Sequence, residues 1–228
     1  MGTTEGEYET FKRLICEVYP KGIVSIVSDT WDLWKVLTDY LPRLKEEIVS
    51  REGKVVVRPD SGDPVEIICG NPNGKTEQEK KGVIELLWDV FGGTVNAKGF
   101  KELVPQIGAI YGDSITVTRA TAICELLKAK GFASTNVVLG IGSFTYQYNT
   151  RDTFGFAMKA TYGEVNGEGR AIFKDPITDD GTKKSAKGLM KIELVEGKFI
   201  LIDEVSWEEE QKGELKEVFR DGRLLIDQ

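Results

Sequence analysis

Arg58, Asp60, Ser61 and Gly62 fall inside VVVRPDSGDP (55–64), where an apolar run breaks abruptly into a cation, a carboxylate and small turn residues. A guanidinium presents a planar fork of donors to a phosphate or a ring substituent. A carboxylate grips sugar hydroxyls or a magnesium ion. Together they suit a ligand with anionic groups and hydroxyls. Pro-Asp-Ser-Gly is also ordinary turn chemistry, so the pattern has to recur before it means more than a turn. It recurs three times. GIVSIVSD (22–29) ends in Ser28-Asp29, the run from Ile107 ends in Gly112-Asp113-Ser114, and NVVLGIG (136–142) ends in Gly140-Ile141-Gly142-Ser143. Glycines at such ends let backbone N–H groups approach phosphate oxygens.

These residues need elements that carry them to one place. The four apolar runs, 22–29, 55–60, 107–113 and 136–142, are rich in Val and Ile and read as strands. Helical patterns lie between them. ETFKRLICEVY precedes the first strand; Leu33, Val36, Leu37, Tyr40, Leu41 and Leu44 form one apolar face of the next helix. Thr76 with Glu79 is a capping box opening a third, and a fourth spans 119–130 and stops at Gly131. Strand and helix alternating at about thirty residues imply parallel strands joined by right-handed crossovers. The expected fold class is α/β, half of a parallel α/β barrel over 1–150, with the four polar strand ends on one rim.

Beyond residue 150 the period changes. Phe154, Phe156, Met158 and Ala160 alternate with polar or small residues as in a strand, and 163–169 reads as a turn. Glu196-Gly197 and Asp221-Gly222 mark two hairpins. Residues 151–228 are therefore expected to be an antiparallel β accessory domain, and GTKKSAKGLMK (181–191), with four lysines and no acid, a mobile loop.

Composition removes whole classes of chemistry. The 228-residue chain contains no histidine, which excludes Ser-His-Asp and Cys-His catalysis and histidine-ligated zinc from its own residues. A net charge of -7 disfavours broad binding to nucleic acid or an acidic membrane surface. No stretch is long and apolar enough to span a bilayer, and MGTTEGEYET is too polar for a signal peptide, which leaves a cytoplasmic address. Cys16, Cys69 and Cys124 are expected to be reduced thiols packed as small hydrophobes. A Rossmann dinucleotide site is not favoured, since no G-x-G-x-x-G follows the first strand.

SIVSDTWDLWKVL, VVVRPDSGDP, IYGDSI, GIGSFTYQYNTRD and AIFKDP, in this order, resemble the C-terminal half of the nicotinamide phosphoribosyltransferase family, of type II phosphoribosyltransferase fold. The resemblance implies joining of nicotinamide to phosphoribosyl pyrophosphate, with magnesium, to give nicotinamide mononucleotide and pyrophosphate in NAD salvage. By resemblance Arg58 lies near the base and sugar phosphate, Asp29 and Asp60 are active-site carboxylates, and Gly112 and Asp113 grip the ribose; no protein ligand is assigned to magnesium, with Asp60 the candidate contact. Ser61 and Gly62 belong to the same binding turn. Gly142 and Ser143 resemble a phosphate-binding glycine pair, with serine replacing the second glycine. Arg151, Lys159 and Lys174 match cations that reach the pyrophosphate of a neighbouring subunit's site, which implies a homodimer.

The family also uses a histidine, aromatic side chains around the base and an amide-selecting aspartate, all in the half that has no counterpart here. The chain is thus expected to pair with a missing N-terminal half, or to be a truncated paralogue, with weak or no turnover alone. A non-catalytic sugar-phosphate-binding module is the alternative, as is nicotinate in place of nicotinamide.

Overall fold

The structure is a computed structural model and describes residues 6–142, 149, 151–154, 158–181 and 183–226, with only the backbone for Arg151 and Asp152. Four strands form one parallel sheet: β1 (Gly22–Val27), β2 (Gly53–Arg58), β5 (Ile107–Tyr111) and β6 (Val137–Leu139), in the order β1-β2-β5-β6. Their registers pair Val27 with Arg58, Val57 with Ala109 and Tyr111 with Leu139, so the ends at which the polar turns begin are neighbours along one edge of the sheet. A short antiparallel hairpin, β3 (Gly93–Val95) with β4 (Lys101–Leu103), is inserted before β5.

Alternation decides which side of the sheet is covered. Val24, Ile26, Val55, Val57, Ile107, Ala109 and Val137 join a single buried cluster with side chains of the surrounding helices. The helical contribution comes from α1 (Glu7–Arg13), from the run α2 (Leu33–Lys35) to α3 (Leu41–Arg43), from α4 (Lys45–Ser50) and α5 (Pro64–Cys69), and from α6 (Glu77–Phe91) and α7 (Val117–Ala129). The other face is less covered among the described residues: Ile23 and Val138 are 76% and 60% exposed, while Val56 and Ile110 are half-buried. Parallel strands with Val/Ile-rich runs are normally buried on both faces, so this side of the sheet has apolar surface that the described residues do not fully cover.

Two expected helices are broken into α and π turns. The first continues from α1 as the π-helical Leu14–Val18, and the second carries a π-helical Val36–Tyr40 between α2 and α3. α6 begins with the expected Thr76 to Glu79 capping box and kinks at Gly82, whose backbone is not helical.

The chain makes two compact units: Met1–Ala157 with Asp175–Lys183, and Met158–Lys174 with Lys184–Gln228. The second holds three antiparallel hairpins, β7 (Tyr162–Val165) with β8 (Glu168–Ala171), β9 (Lys191–Val195) with β10 (Lys198–Ile202), and β11 (Phe219–Arg220) with β12 (Arg223–Leu224). Glu196-Gly197 and Asp221-Gly222 turn the last two, each dipeptide at positive φ.

Three expectations are corrected. Residues 153–160 are not a strand where they are described: Arg151–Phe154 is a 3-10 turn and 158–160 is irregular. A strand needs a hydrogen-bonded neighbour, and the ladder instead forms just downstream around Asn166-Gly167, both at positive φ. The lysine-rich segment is anchored rather than loose, because its lysines find acids: Lys187 pairs with Glu204 at 2.7 Å, and Lys183 binds within the first unit. Of the cysteines, Cys69 is buried, Cys16 partly so, and Cys124 is exposed. Among the described residues no helix is long and apolar enough to cross a membrane.

Candidate active site

The site is built where strands end. After β1 the backbone N–H of Ser28 donates to the carbonyl of Arg58 at 3.0 Å, extending the ladder by one residue. Asp29, the next residue, is fully buried. Its Oδ2 accepts the backbone N–H of Asp60 at 2.8 Å and the Ser61 hydroxyl. A buried carboxylate holding two donors on the adjacent strand's turn fixes that turn in place. The turn after β2 is thereby tied to β1.

The third strand closes the arrangement from the other side. Tyr111, the last residue of β5, donates its hydroxyl to the carbonyl of Gly62 at 2.8 Å. Burial, followed by the negative charges of Asp113 and Asp29, pushes this phenol far above the ordinary tyrosine range. It remains a donor at any physiological pH. Two residues on, Asp113 accepts the Lys183 ammonium at 2.8 Å. The same ammonium donates to the carbonyl of Asp60 and lies 4.0 Å from its carboxylate. At the fourth strand the N–H of Gly140 donates to the Tyr111 carbonyl at 2.8 Å, and a Cβ on Gly140 would stand 2.9 Å from the Cα of Gly112. The two strand ends meet backbone to backbone because both residues are glycines.

The structure thus brings Asp29, Asp60, Ser61, Gly62, Gly112 and Asp113 into one linked set. Arg58 is placed beside it by its main-chain bonds to Ser28 and has an exposed side chain. No described residue lies within 4 Å of where a Cβ on Gly142 would be. Ser143 and the side chain of Arg151 lie outside the described residues. Lys159 is exposed and Lys174 partly buried, both in the second unit, where Lys174 exchanges main-chain bonds with Ser185.

Several residues that build the site carry no obvious signal in the sequence. Residues 175–181 form a strap whose N–H groups at Asp175 and Ile177 donate to the carbonyls of Thr30 and Trp31, and Thr178 Oγ1 meets Ser61 Oγ at 2.7 Å. Gly62, at φ +84°, leaves room for it: a Cβ there would lie 2.7 Å from the Thr178 carbonyl. The Asp63-Pro64 pair did carry a signal. Asp63 caps α5 by accepting from Val65 and Glu66, with Pro64 in the first turn. Arg119, in α7, donates to the carbonyl of Ser114 at 2.7 Å and holds the turn that presents Asp113.

Glu7 is a further buried acid in this unit, 2% exposed. Burial, then the charges of Asp32 and Asp29, raise its carboxyl to about 7. As for a metal, no group of three or more His, Cys, Asp or Glu side chains among the described residues could hold one. Asp60 and Asp113 supply two carboxylates sharing one lysine.

A parallel α/β sheet with carboxylates, glycines and cations gathered at the strands' C-terminal ends is the arrangement of an α/β protein whose site lies on that rim. Residues 3–223 match the family model of the nicotinate phosphoribosyltransferase (NAPRTase) family, and the chain belongs to that family. It is 57% identical to a nicotinamide phosphoribosyltransferase of Acinetobacter baylyi over 99% of this chain and 46% of that protein. It is 45% identical to the Mycoplasma pneumoniae nicotinamide phosphoribosyltransferase over 81% of this chain and 41% of that one, and 35% identical to the Xanthomonas campestris one over 89% and 42%. The chain spans less than half the length of these curated relatives.

Proposed function

We propose that the chain is the C-terminal part of a nicotinamide phosphoribosyltransferase, supplying the sugar- and phosphate-binding rim of the site. The carrying observation is the linked set Asp29, Asp60 and Asp113 on three neighbouring strand ends, in a chain 57% identical to a nicotinamide phosphoribosyltransferase.

In this reading nicotinamide attacks C1 of phosphoribosyl pyrophosphate and the bond to pyrophosphate breaks. The sugar gains positive character and the leaving group negative charge, so carboxylates are needed at one end and cations at the other. Asp60 faces the sugar side, and the buried Asp29 holds it there. Gly112 and Asp113 hold the ribose hydroxyls, Arg58 lies against the base and sugar phosphate, Ser61 and Gly62 belong to the substrate-binding turn, and Gly142 and Ser143 serve a phosphate. Arg151, Lys159 and Lys174 serve the pyrophosphate, from a second copy in a homodimer. Magnesium bound with the pyrophosphate, touching the protein through Asp60, would neutralise charge on the leaving group.

The exposed face of the sheet supports a half barrel completed by a further segment of protein. Placing this chain together with the N-terminal half of a relative should yield nicotinamide mononucleotide and pyrophosphate from the two substrates, while the chain alone should yield little or none. Binding of phosphoribosyl pyrophosphate with no product in either case would make the chain a non-catalytic binding module. Because the matching family is named for nicotinate, both bases should be assayed; turnover of nicotinate alone would reassign the base.

A further inference from the structure

We propose that Lys183 is a positioning residue of this rim, holding Asp113 and the Asp60 turn in register so that the pair receives an anionic sugar phosphate. The inference rests on the reading of the rim as a phosphoribosyl pyrophosphate site.

Exposed lysine-carboxylate pairs are usually of little consequence. Lys183 differs in how it is delivered and in what it bridges. Its side chain is 28% exposed, and one ammonium serves the Asp60 carbonyl and the Asp113 carboxylate, with the Asp60 carboxylate 4.0 Å away. Those acceptors stand on turns after two different strands, β2 and β5. The strap that carries it is independently fixed. Ile177 is bonded to Trp31 and Thr178 to Ser61, and Asp179 Oδ2 accepts the N–H groups of Gly181 at 3.0 Å and of Lys183 at 2.6 Å. The backbone is therefore folded so as to aim this one ammonium.

The electrostatic consequence follows from the sign of the charges. Two carboxylates close together repel each other and repel an incoming pyrophosphate. A fixed cation between them reduces both repulsions, and it occupies one oxygen of Asp113 while leaving the other for a hydroxyl. Arg58 stands at the end of β2 and is free to serve a different part of the ligand.

The test compares Lys183→Met and Lys183→Arg with the unaltered chain, and uses Lys198→Met, on the exposed β9–β10 hairpin, as a charge control. Two readouts are needed. Calorimetric titration with phosphoribosyl pyrophosphate in magnesium is expected to show about tenfold weaker binding for Lys183→Met, recovery to within about threefold for Lys183→Arg, and no change for Lys198→Met. Amide hydrogen exchange without ligand is expected to speed up in Lys183→Met at Asp60, Ile177 and Gly181 and to stay slow in Lys183→Arg. Unaltered exchange at those amides in Lys183→Met overturns the inference whether or not the ligand binds, and so does unaltered affinity. Absence of binding by the unaltered chain, with the exchange effect present, instead sinks the reading of the rim and leaves the positioning role standing.

Discussion

The carboxylate of Asp29, fully buried at the end of β1, accepts the backbone N–H of Asp60 at 2.8 Å, so two acids on adjacent strands are held in one fixed relation. The acid that is hidden organises the one that is presented. Replacing Asp29 by Ala leaves the Asp60 N–H without its acceptor and the buried Ser61 hydroxyl with Thr178 Oγ1 alone, at an expected cost of about 1–3 kcal/mol. Asp29→Asn, which keeps one carbonyl acceptor, should recover half or more of that. Urea unfolding of the three proteins is the measurement, and equal midpoints for Asp29→Ala and the unaltered chain would remove Asp29 as the organiser.

Tyr111 links the third strand to the same turn through one hydroxyl. Tyr111→Phe keeps the ring in the core and deletes only the bond to the Gly62 carbonyl. The expected loss is about 1 kcal/mol, seen as a lower denaturant midpoint with an unchanged slope. A loss much larger than this would mean the ring itself had moved.

Much of this arrangement was legible in the residues. The four strands and their shared rim followed from Val/Ile runs ending in Asp or Gly, and the hairpins at Glu196-Gly197 and Asp221-Gly222 from turn chemistry that demands positive φ. What was hidden depended on long-range partners. GTKKSAK reads as a solvated loop until Asp60 and Asp113 stand opposite Lys183, and nothing local marks residues 175–181 as returning to the first unit. The alternation at 153–160 misled for a related reason: period two describes a strand only if a neighbour supplies the ladder. The short helix α5 carries its own start signal in Asp63-Pro64, but those residues also close the polar turn after β2, so the two signals overlap.

Glu7 makes stability depend on pH. Its carboxyl holds a proton up to about pH 7 in the folded chain, against 4.5 as the ordinary value. Between those limits the folded state binds more protons than the unfolded one, so stability falls as pH rises through this window. Glu7→Gln cannot ionise. It should match the unaltered chain near pH 4 and exceed it by on the order of 2 kcal/mol at pH 8, below the ceiling of roughly 3 kcal/mol that the displacement allows. Chemical denaturation at the two pH values tests this; parallel pH profiles would show that Glu7 ionises freely.

Two glycines of the rim should separate stability from ligand binding. At Gly62 the backbone sits at φ +84° and an added Cβ would meet the Thr178 carbonyl at 2.7 Å. Gly62→Ala should therefore cost about 2 kcal/mol or more through backbone strain and a displaced strap. At Gly142 none of the described residues lies within 4 Å of the same added atom, so Gly142→Ala should leave stability within about 0.5 kcal/mol. If the open space there is where a phosphate approaches the main chain, the methyl group takes that space, and affinity for phosphoribosyl pyrophosphate should fall while the denaturation midpoint holds. Unchanged affinity in Gly142→Ala would put the phosphate elsewhere on the rim, and a fall in both quantities would show that Gly142 is packed more tightly than its surroundings indicate.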